Sequence, residues 1–319
     1  MINGIHLKHA FQDSTRLLAH QGYLSLTRAL LEYLYGYDGV ESASVYEVFD
    51  QQPDDVAKLG YQYDPVVRRV LSRGQMRDDG LGKVAQVLAA HDAGRHFLIE
   101  KAGPWLALDV SRSVVPRRIV LIHGHIDEIQ TCQVLSLLGI YAARTAEFDE
   151  SERDSLTGLL NREAFEMQTG RLIQEMKQTE DGSAAQTWLA LVSVDPARIR
   201  GPLNARKRAT LWLFSHLLRK CFRHLDGLYH LGRGEFAVLL HGSEYEGARD
   251  SLRRFMRRVE AYQFPLPNLT CAVGFTGFGH HSVPGLMLED ASKALLLAQS
   301  RPEQNLRFRH AQSAVLAEG

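Results

Sequence analysis

The sequence is short of cysteine, of net charge and of long apolar runs, and each shortage excludes something. Three cysteines in 319 residues, scattered as Cys132, Cys221 and Cys271, cannot form a disulfide framework and fit a reducing compartment. Lys plus Arg and Asp plus Glu number 37 each, so the formal net charge is zero and no global field draws the chain to nucleic acid or membrane. The longest largely apolar stretch, Val134–Ala143, is far too short to cross a bilayer. The opening residues MINGIHLKHAFQDS lack a basic-then-apolar leader pattern. The expectation is a cytoplasmic protein with no membrane insertion and no nucleic-acid partner. What is present is an ordinary globular composition, 45% apolar and 23% charged, long enough for two domains with real cores.

Apolar spacings of three and four predict two helices within residues 5–37. ESASVYEVFD alternates like a strand, and a polar stretch with Pro53 follows. LGKVAQVLAAHDAG reads as a helix, and RHFLIEK, PWLALDVS and RRIVLIHGH read as three further strands. That order suggests an antiparallel sheet with helices on one face. A long helix from about Ile126 to Glu150 comes next. It either packs on its own sheet or forms a two-stranded dimer seam. In the second half a helix (Ala164–Lys177), a polar linker, the strand TWLALVSV, a loop, a helix (Thr210–His224) and the turn LDGLYH lead to LGRGEFAVLL. A helix (Glu246–Tyr262), the strand LTCAVGFTGF and a helix (Leu286–Ser300) close the chain. The fold class expected is α+β or α/β, with one antiparallel and one mixed sheet.

The stretch DSLTGLLNREAF resembles the opening motif of GGDEF domains, the diguanylate cyclase family, which reads D-x-L-T-G-L-x-N-R-x-x-F. Asp154, Leu156, Thr157, Gly158, Leu159, Asn161, Arg162 and Phe165 all match. Further on, GRGEF (Gly232, Arg233, Gly234, Glu235, Phe236) falls where that family has its GGDEF turn. The resemblance covers Asp154 to about Phe308. The first half resembles a GAF domain in element order and trailing helix, with a PAS-type domain as the alternative. The implied organisation is a GAF-like sensory and dimerisation domain (1–125), a linker helix (126–153) and a GGDEF-type domain (154–319).

Joining two GTP molecules by phosphoryl transfer needs a divalent metal held by carboxylate oxygens. The family supplies them from the end of the first core strand and from the third turn position; here those positions hold Ser193 and Gly234. Asp195 and Glu235 survive nearby. Between Asp195 and Asp226 there is no acidic residue, while Arg198, Arg200, Arg206, Lys207, Arg208, Arg219, Lys220 and Arg223 fall in that interval. The family's guanine contacts, an Asn and an Asp, fall near Gly201 and Arg208, with Asn204 a substitute if the loop shifts. Arg233 stands where a second turn glycine admits a phosphate, and the phosphate-binding Lys and Arg near the C-terminus align with Gln299 and Gln304. The resemblance therefore implies a domain that is not an enzyme and takes no Mg²⁺ or other cofactor.

One constellation is kept. Arg223-His-Leu-Asp226 matches the R-x-x-D by which many GGDEF domains bind cyclic di-GMP at an inhibitory site just before the hairpin. A guanidinium can donate twice to the O6 and N7 edge of guanine, and a carboxylate can accept from its N1 and N2 hydrogens. The family adds a second arginine from the next helix, which counts to Arg254, with Arg253 one register step away. The bland reading is an ion pair at a helix end and a solvated RRFMRR face. The expected function is thus a cyclic di-GMP receptor that passes its state to a protein effector, as a homodimer joined by the first domain and the linker helix. A ligand-independent scaffold and a residual cyclase using Asp195 and Glu235 are the alternatives. Biofilm matrix or motility as the process served comes from the family alone.

His123 and His125, two apart on a strand, are either metal or haem ligands or structural histidines, and His280 and His281 read as solvated loop residues. The cysteines read as small packing residues. The basic stretch RIRGPLNARKR lacks the interleaved aromatics of a base-stacking surface.

Overall fold

The structure, a computed structural model, describes residues 17–20, 22–74, 97–99, 105–111, 116–178, 187–199, 201–278, 284–300 and 306–310. It divides into two compact units. One comprises residues 1–51 and 64–151; the other comprises 52–63 and 152–319. The sequence alone places all of 1–125 in one domain, so the transfer of 52–63 to the second unit is a finding of the structure.

In the first unit, helix α1 (Tyr23–Tyr35) buries Tyr23, Leu26, Thr27, Leu30, Leu31 and Leu34, the spacing that predicts it. Strands β1 (Val40–Phe49), β2 (Val66–Gly74), β3 (Phe97–Ile99), β4 (Trp105–Ser111) and β5 (Arg117–Gly124) form one antiparallel sheet in the order β2-β1-β5-β4-β3. β1 is buried at nearly every position because it is interior to the sheet. β2 was not expected. Its VVRRVLSRG carries Arg68, Arg69 and Arg73 on an edge strand, where basic side chains reach water and hide the alternation. The helix expected over LGKVAQVLAAHDAG lies outside the described residues.

Helix α3 (Glu128–Glu152) follows. Val134, Leu137, Leu138 and Tyr141 join the core formed with α1 and the sheet. Its outward positions Cys132, Ser136, Gly139 and Ala143 are exposed and small. The stripe of Val134, Leu137, Leu138 and Tyr141 thus packs on the helix's own sheet. Near the helix end Asp149 meets the buried Arg118 of β5, with Nη2 to Oδ1 at 2.6 Å. Glu47 of β1 adds a carboxylate at 3.6 Å, and the Tyr23 ring centroid lies 4.4 Å from the guanidinium carbon. Burial opposes the charge on Arg118, but Tyr23, Asp149 and Glu47 outweigh it and raise its pKa.

In the second unit, α4 (Arg162–Gln178), β6 (Trp188–Val194), the short α5 (Pro196–Ile199), α6 (Ala205–Cys221), β7 (Gly227–Gly232), β8 (Glu235–Leu240), α7 (Tyr245–Ala261), β9 (Cys271–Gly277), α8 (Pro284–Gln299) and β10 (Leu306–His310) follow in order. The strands form one sheet, β10-β9-β6-β8-β7, with β10 parallel to β9 and the other pairs antiparallel. This is the mixed sheet that the sequence predicts. Alternation sends Ala190, Val192 and Val194 into the core with α6 and α7, and Leu189 and Leu191 into the core with α4 and α8. At Gly274 a Cβ would stand 2.2 Å from the backbone nitrogen of Leu295, so glycine permits the close approach of α8 to β9.

Three expectations are corrected. LDGLYH is not a turn throughout: from Gly227 it is strand β7, with Leu228, Tyr229 and His230 buried. α6 starts at Ala205 rather than Thr210, because Asn204 caps it by accepting from the Lys207 N–H at 3.0 Å. β10 was missed because LRFRH is too short and basic to stand out. A further short helix, α2 (Asp54–Lys58), forms after Pro53. Among the described residues no helix is long and apolar enough to cross a membrane.

Candidate functional site

The hairpin β7–β8 is closed by Arg233 and Gly234, with Gly232 paired to Glu235. Both turn residues have left-handed backbones, φ +54° and +79°, as a two-residue type I′ turn requires. Arg233 is exposed at the tip, while Gly234 is buried. A Cβ on Gly234 would lie 2.8 Å from the Val194 carbonyl oxygen and 3.1 Å from Ile199 Cγ2. The Val194 N–H in turn donates to the Gly234 carbonyl at 2.9 Å. Strand end and hairpin tip are therefore tied together with little room between them.

The motif DSLTGLLNREAF holds this hairpin. The Asp154 carboxylate accepts from the Thr157 N–H at 2.8 Å and from its hydroxyl at 2.7 Å. His230 Nδ1 stands 3.0 Å from the same carboxylate, and its ring stacks on Phe236 at 4.7 Å. Burial pushes the Asp154 pKa up, but His230 and the Thr157 bonds outweigh it and hold the carboxyl below its ordinary range. Leu160 bonds to both sides of Tyr229, its N–H to the Leu228 carbonyl at 3.2 Å and its carbonyl from the His230 N–H at 2.8 Å. Asn161 caps α4 through the Ala164 N–H at 2.9 Å. Arg162 donates to the Leu231 carbonyl from Nη2 at 3.0 Å and from Nε at 3.3 Å, and lies 3.9 Å from Glu235. Buried Arg219 of α6 donates to the Thr157 carbonyl.

At the end of β6, Ser193 is buried and carries no charge. Asp195 is 4% exposed with φ +41°, and its Oδ2 accepts from Arg198 Nε at 2.7 Å. Arg198 also donates to the carbonyls of Pro267 (2.8 Å) and Asn268 (3.1 Å). Glu235, just after the turn, is exposed and faces Arg162. Among the described residues no group of three His, Cys, Asp or Glu side chains is placed to hold a metal ion. Asn204 is the α6 cap, and Arg208 pairs with Asp55 at 2.7 Å.

Arg223 and Asp226 lie beyond the last residue of α6, in the turn into β7, rather than on the helix as their spacing suggests. The Asp226 N–H donates to the Arg223 carbonyl at 3.1 Å. The Asp226 carboxylate accepts from the Arg223 N–H at 2.7 Å and from the His241 N–H at 3.3 Å. Asp226 is 7% exposed and Arg223 is exposed. Burial lowers the pKa of His241, and the neighbouring Asp226 opposes that shift. The second arginine comes from α7, which buries Leu252, Phe255, Met256 and Val259. Phe255 meets Phe222 at 5.3 Å between ring centroids, and Arg254 and Arg223 are the chain neighbours of those two residues. Arg258, four residues from Arg254 and on the same flank, reaches Cys221 Sγ at 3.6 Å, and Arg254 acts electrostatically on the same thiol. The flank carrying Arg254 and Arg258 turns toward Cys221 at the end of α6.

His123 Nδ1 lies 2.9 Å from Glu41 of the neighbouring strand, and His125 is exposed past the strand end. Cys271 is buried and Cys221 half-buried, but Cys132 is exposed on α3, against the expectation that all three pack. His280, His281 and Gln304 lie outside the described residues; Gln299 ends α8. The signals missed in the sequence were Arg162 as the clamp on the turn and Ile199 as the side chain facing Gly234. Arg162 was visible within the motif; Ile199 had no pattern to mark it.

No family model matches the chain. Over 156 residues it is 33% identical to diguanylate cyclase DgcP of Pseudomonas aeruginosa, covering 46% of this chain and 22% of that protein. The chain thus spans about a fifth of the curated relative it matches. Among solved structures it is similar to the GGDEF domain of PA1120 (TpbB or YfiN) from Pseudomonas aeruginosa, 24% identical, covering 50% of this chain and 94% of that one, TM-score 0.42. It is also similar to the coiled coil and GGDEF domain of DgcB from Caulobacter crescentus in complex with c-di-GMP, 16% identical, covering 58% and 100%, TM-score 0.45. A third is diguanylate cyclase SiaD in complex with its activator SiaC from Pseudomonas aeruginosa, 21% identical, covering 58% and 71%, TM-score 0.45. Close to half of this chain is thus similar in sequence to part of a diguanylate cyclase.

Proposed function

We propose that the chain is a cyclic di-GMP receptor whose GGDEF-type domain binds the dinucleotide without making it, and passes that state to a protein partner. The observation that supports the binding half is that α7, which carries Arg254, packs through Phe255 on Phe222, next to Arg223 in the turn that holds Asp226. Two guanidinium groups suit the guanine O6 and N7 edge and the phosphates, and they stack on purine faces. The Asp226 carboxylate accepts backbone N–H groups in this turn, the same kind of bond it would accept from guanine N1 and N2.

The absence of synthesis rests on the donor set. Mg²⁺ needs anionic oxygens, and Ser193 and Gly234 offer none from their side chains. Asp195 is engaged by the internal cation Arg198, and Glu235 faces Arg162. These residues do not fit a Mg²⁺–triphosphate site.

Titration calorimetry of the full chain with cyclic di-GMP, repeated on Arg223→Ala and Arg254→Ala, tests the receptor. Binding by the wild type and its loss in both variants are expected. No heat at tens of micromolar ligand refutes the receptor and leaves the scaffold, which the backbone bonds of Asp226 favour. Turnover of GTP with Mg²⁺, read by chromatography, refutes the non-enzymatic half.

A further inference from the structure

β1 and β2 are antiparallel neighbours whose ends pair directly, Phe49 with Val66. A two-residue turn joins such ends in the commonest hairpins, yet residues 50–65 intervene. Most of that connection, Gln52–Tyr63, belongs to the second unit. We propose that Gln52–Tyr63 is a strap that docks on the outward face of α6 and links the β1–β2 pair to that helix, a route into the second unit separate from α3.

The contacts are specific. Val56 is fully buried in the core of the second unit, and Leu59, Tyr61 and Tyr63 pack against that core. Tyr63 meets Trp212 edge-on at 5.2 Å and His216 at 5.4 Å, and Trp212 stacks on His216 at 5.4 Å. Asp55 pairs with Arg208 at 2.7 Å. Arg208, Trp212 and His216 are four apart and so share one face of α6. Gln52 Nε2 donates to the Tyr61 carbonyl at 2.6 Å and closes the excursion on itself.

The charges explain why this segment fits this helix. α6 opens with Arg206, Lys207 and Arg208 and has no acid in its first turn, which sets positive side chains against the positive end of the helix dipole. The strap brings Asp54 and Asp55 in the first turn of α2, and Asp55 reaches Arg208. The attachment is also reversible in kind. The ion pair is partly exposed, at 51% and 26%, so it is weak and salt-screened, and Val56 is the strap's one fully buried apolar anchor.

Hydrogen exchange of the full chain, followed over 52–63 and 205–216, tests this. Asp55→Lys speeds exchange in both segments by about threefold or more, while β6, β8 and β9 keep their protection. The charge-exchanged pair Asp55→Arg with Arg208→Asp returns both segments toward the wild-type rate. Val66→Ala, at the β2 end of the connection, shifts exchange over 205–216. If 205–216 exchanges unchanged in Asp55→Lys and Val66→Ala, the strap transmits nothing and the proposal falls. It falls equally if Asp55→Lys loosens the whole sheet uniformly, since the segment is then a core piece and not a separable strap. Cyclic di-GMP is absent from these measurements, so their outcome is independent of the ligand proposed above.

Discussion

Gly234 can be tested against Gly232 with a single added carbon. At φ +79° an L-residue in place of Gly234 bears a left-handed backbone cost of roughly 1–2 kcal/mol, of which about 0.4–1 kcal/mol is offset by the stiffer unfolded chain. The added Cβ then stands 2.8 Å from the Val194 carbonyl and 3.1 Å from Ile199 Cγ2. Because the Val194 N–H bonds to the Gly234 carbonyl, moving apart loosens a hydrogen bond of about 1 kcal/mol. Gly234→Ala should therefore destabilise the second unit by about 2 kcal/mol. Gly232, at φ +92° with nothing within 4 Å of a Cβ, carries the conformational part alone, about 1 kcal/mol. Urea unfolding in a Trp105→Phe background, leaving Trp188 and Trp212 to report the second unit, measures both by linear extrapolation. Equal losses for the two alanines would show that the space beside Gly234 is open. The same geometry implies that Gly234→Glu alone gives no GTP turnover with Mg²⁺; turnover from that single change would sink the argument about Ile199 and Val194.

Three further outcomes follow from the buried charges and thiols. Arg118→Ala should destabilise the first unit by about 3–5 kcal/mol, because it leaves Asp149 and Glu47 without their buried cation, and faster hydrogen exchange over β1 and β5 checks this. Asp154 has a lowered pKa in the folded chain, so its contribution is fully present above the unfolded carboxyl value of about 4 and is lost as pH falls through the lower folded value. Acid unfolding of His230→Phe should show a smaller loss over that window than the wild type. The thiols should label in sequence: exposed Cys132 first, then half-buried Cys221, whose pKa burial raises against the pull of Arg258 and Arg254. Cys271, buried and pushed up to about 12, should label only on unfolding, as peptide mass spectrometry will show.

Where side chains alternate or recur cleanly, the fold is legible in the residues themselves. α1, β1, β5, β6 and β8 lie within a few residues of their apolar patterns. The failures have local causes. β2 and β10 are edge strands interrupted by arginines, so neither shows a clean period. The start of α6 is displaced in the sequence because the cap Asn204 also suits a ligand role and the three basic residues after Ala205 read as loop. Of the candidate site, residue identities are legible: Ser193 and Gly234 are uncharged whatever the fold. Depth is not. Nothing in RHLD shows that Asp226 is nearly buried and bonded to two backbone N–H groups, or that Phe222 packs on Phe255 of α7. The strap is illegible for a stronger reason, since its partners on α6 are more than a hundred residues away and share no pattern with it.

The bonds that hold the hairpin explain how it can stay in place whatever the turn binds. Arg162 grips the Leu231 carbonyl, Leu160 bonds to β7 on both sides of Tyr229, and Arg219 fixes the loop at Thr157. None of these bonds uses the side chain of residue 193 or 234. The bonds that anchor the hairpin are therefore independent of those two side chains, although the space beside residue 234 admits no Cβ without a shift. Arg162→Ala separates the two roles. It should loosen the hairpin, with faster exchange over 227–240, because the Leu231 carbonyl loses both of its guanidinium donors. If the receptor proposal holds, cyclic di-GMP binding should survive that change, since Arg223, Asp226 and Arg254 are held from the turn after α6 and from α7. Loss of binding in Arg162→Ala with the hairpin still protected would mean that the ligand sits at the turn instead.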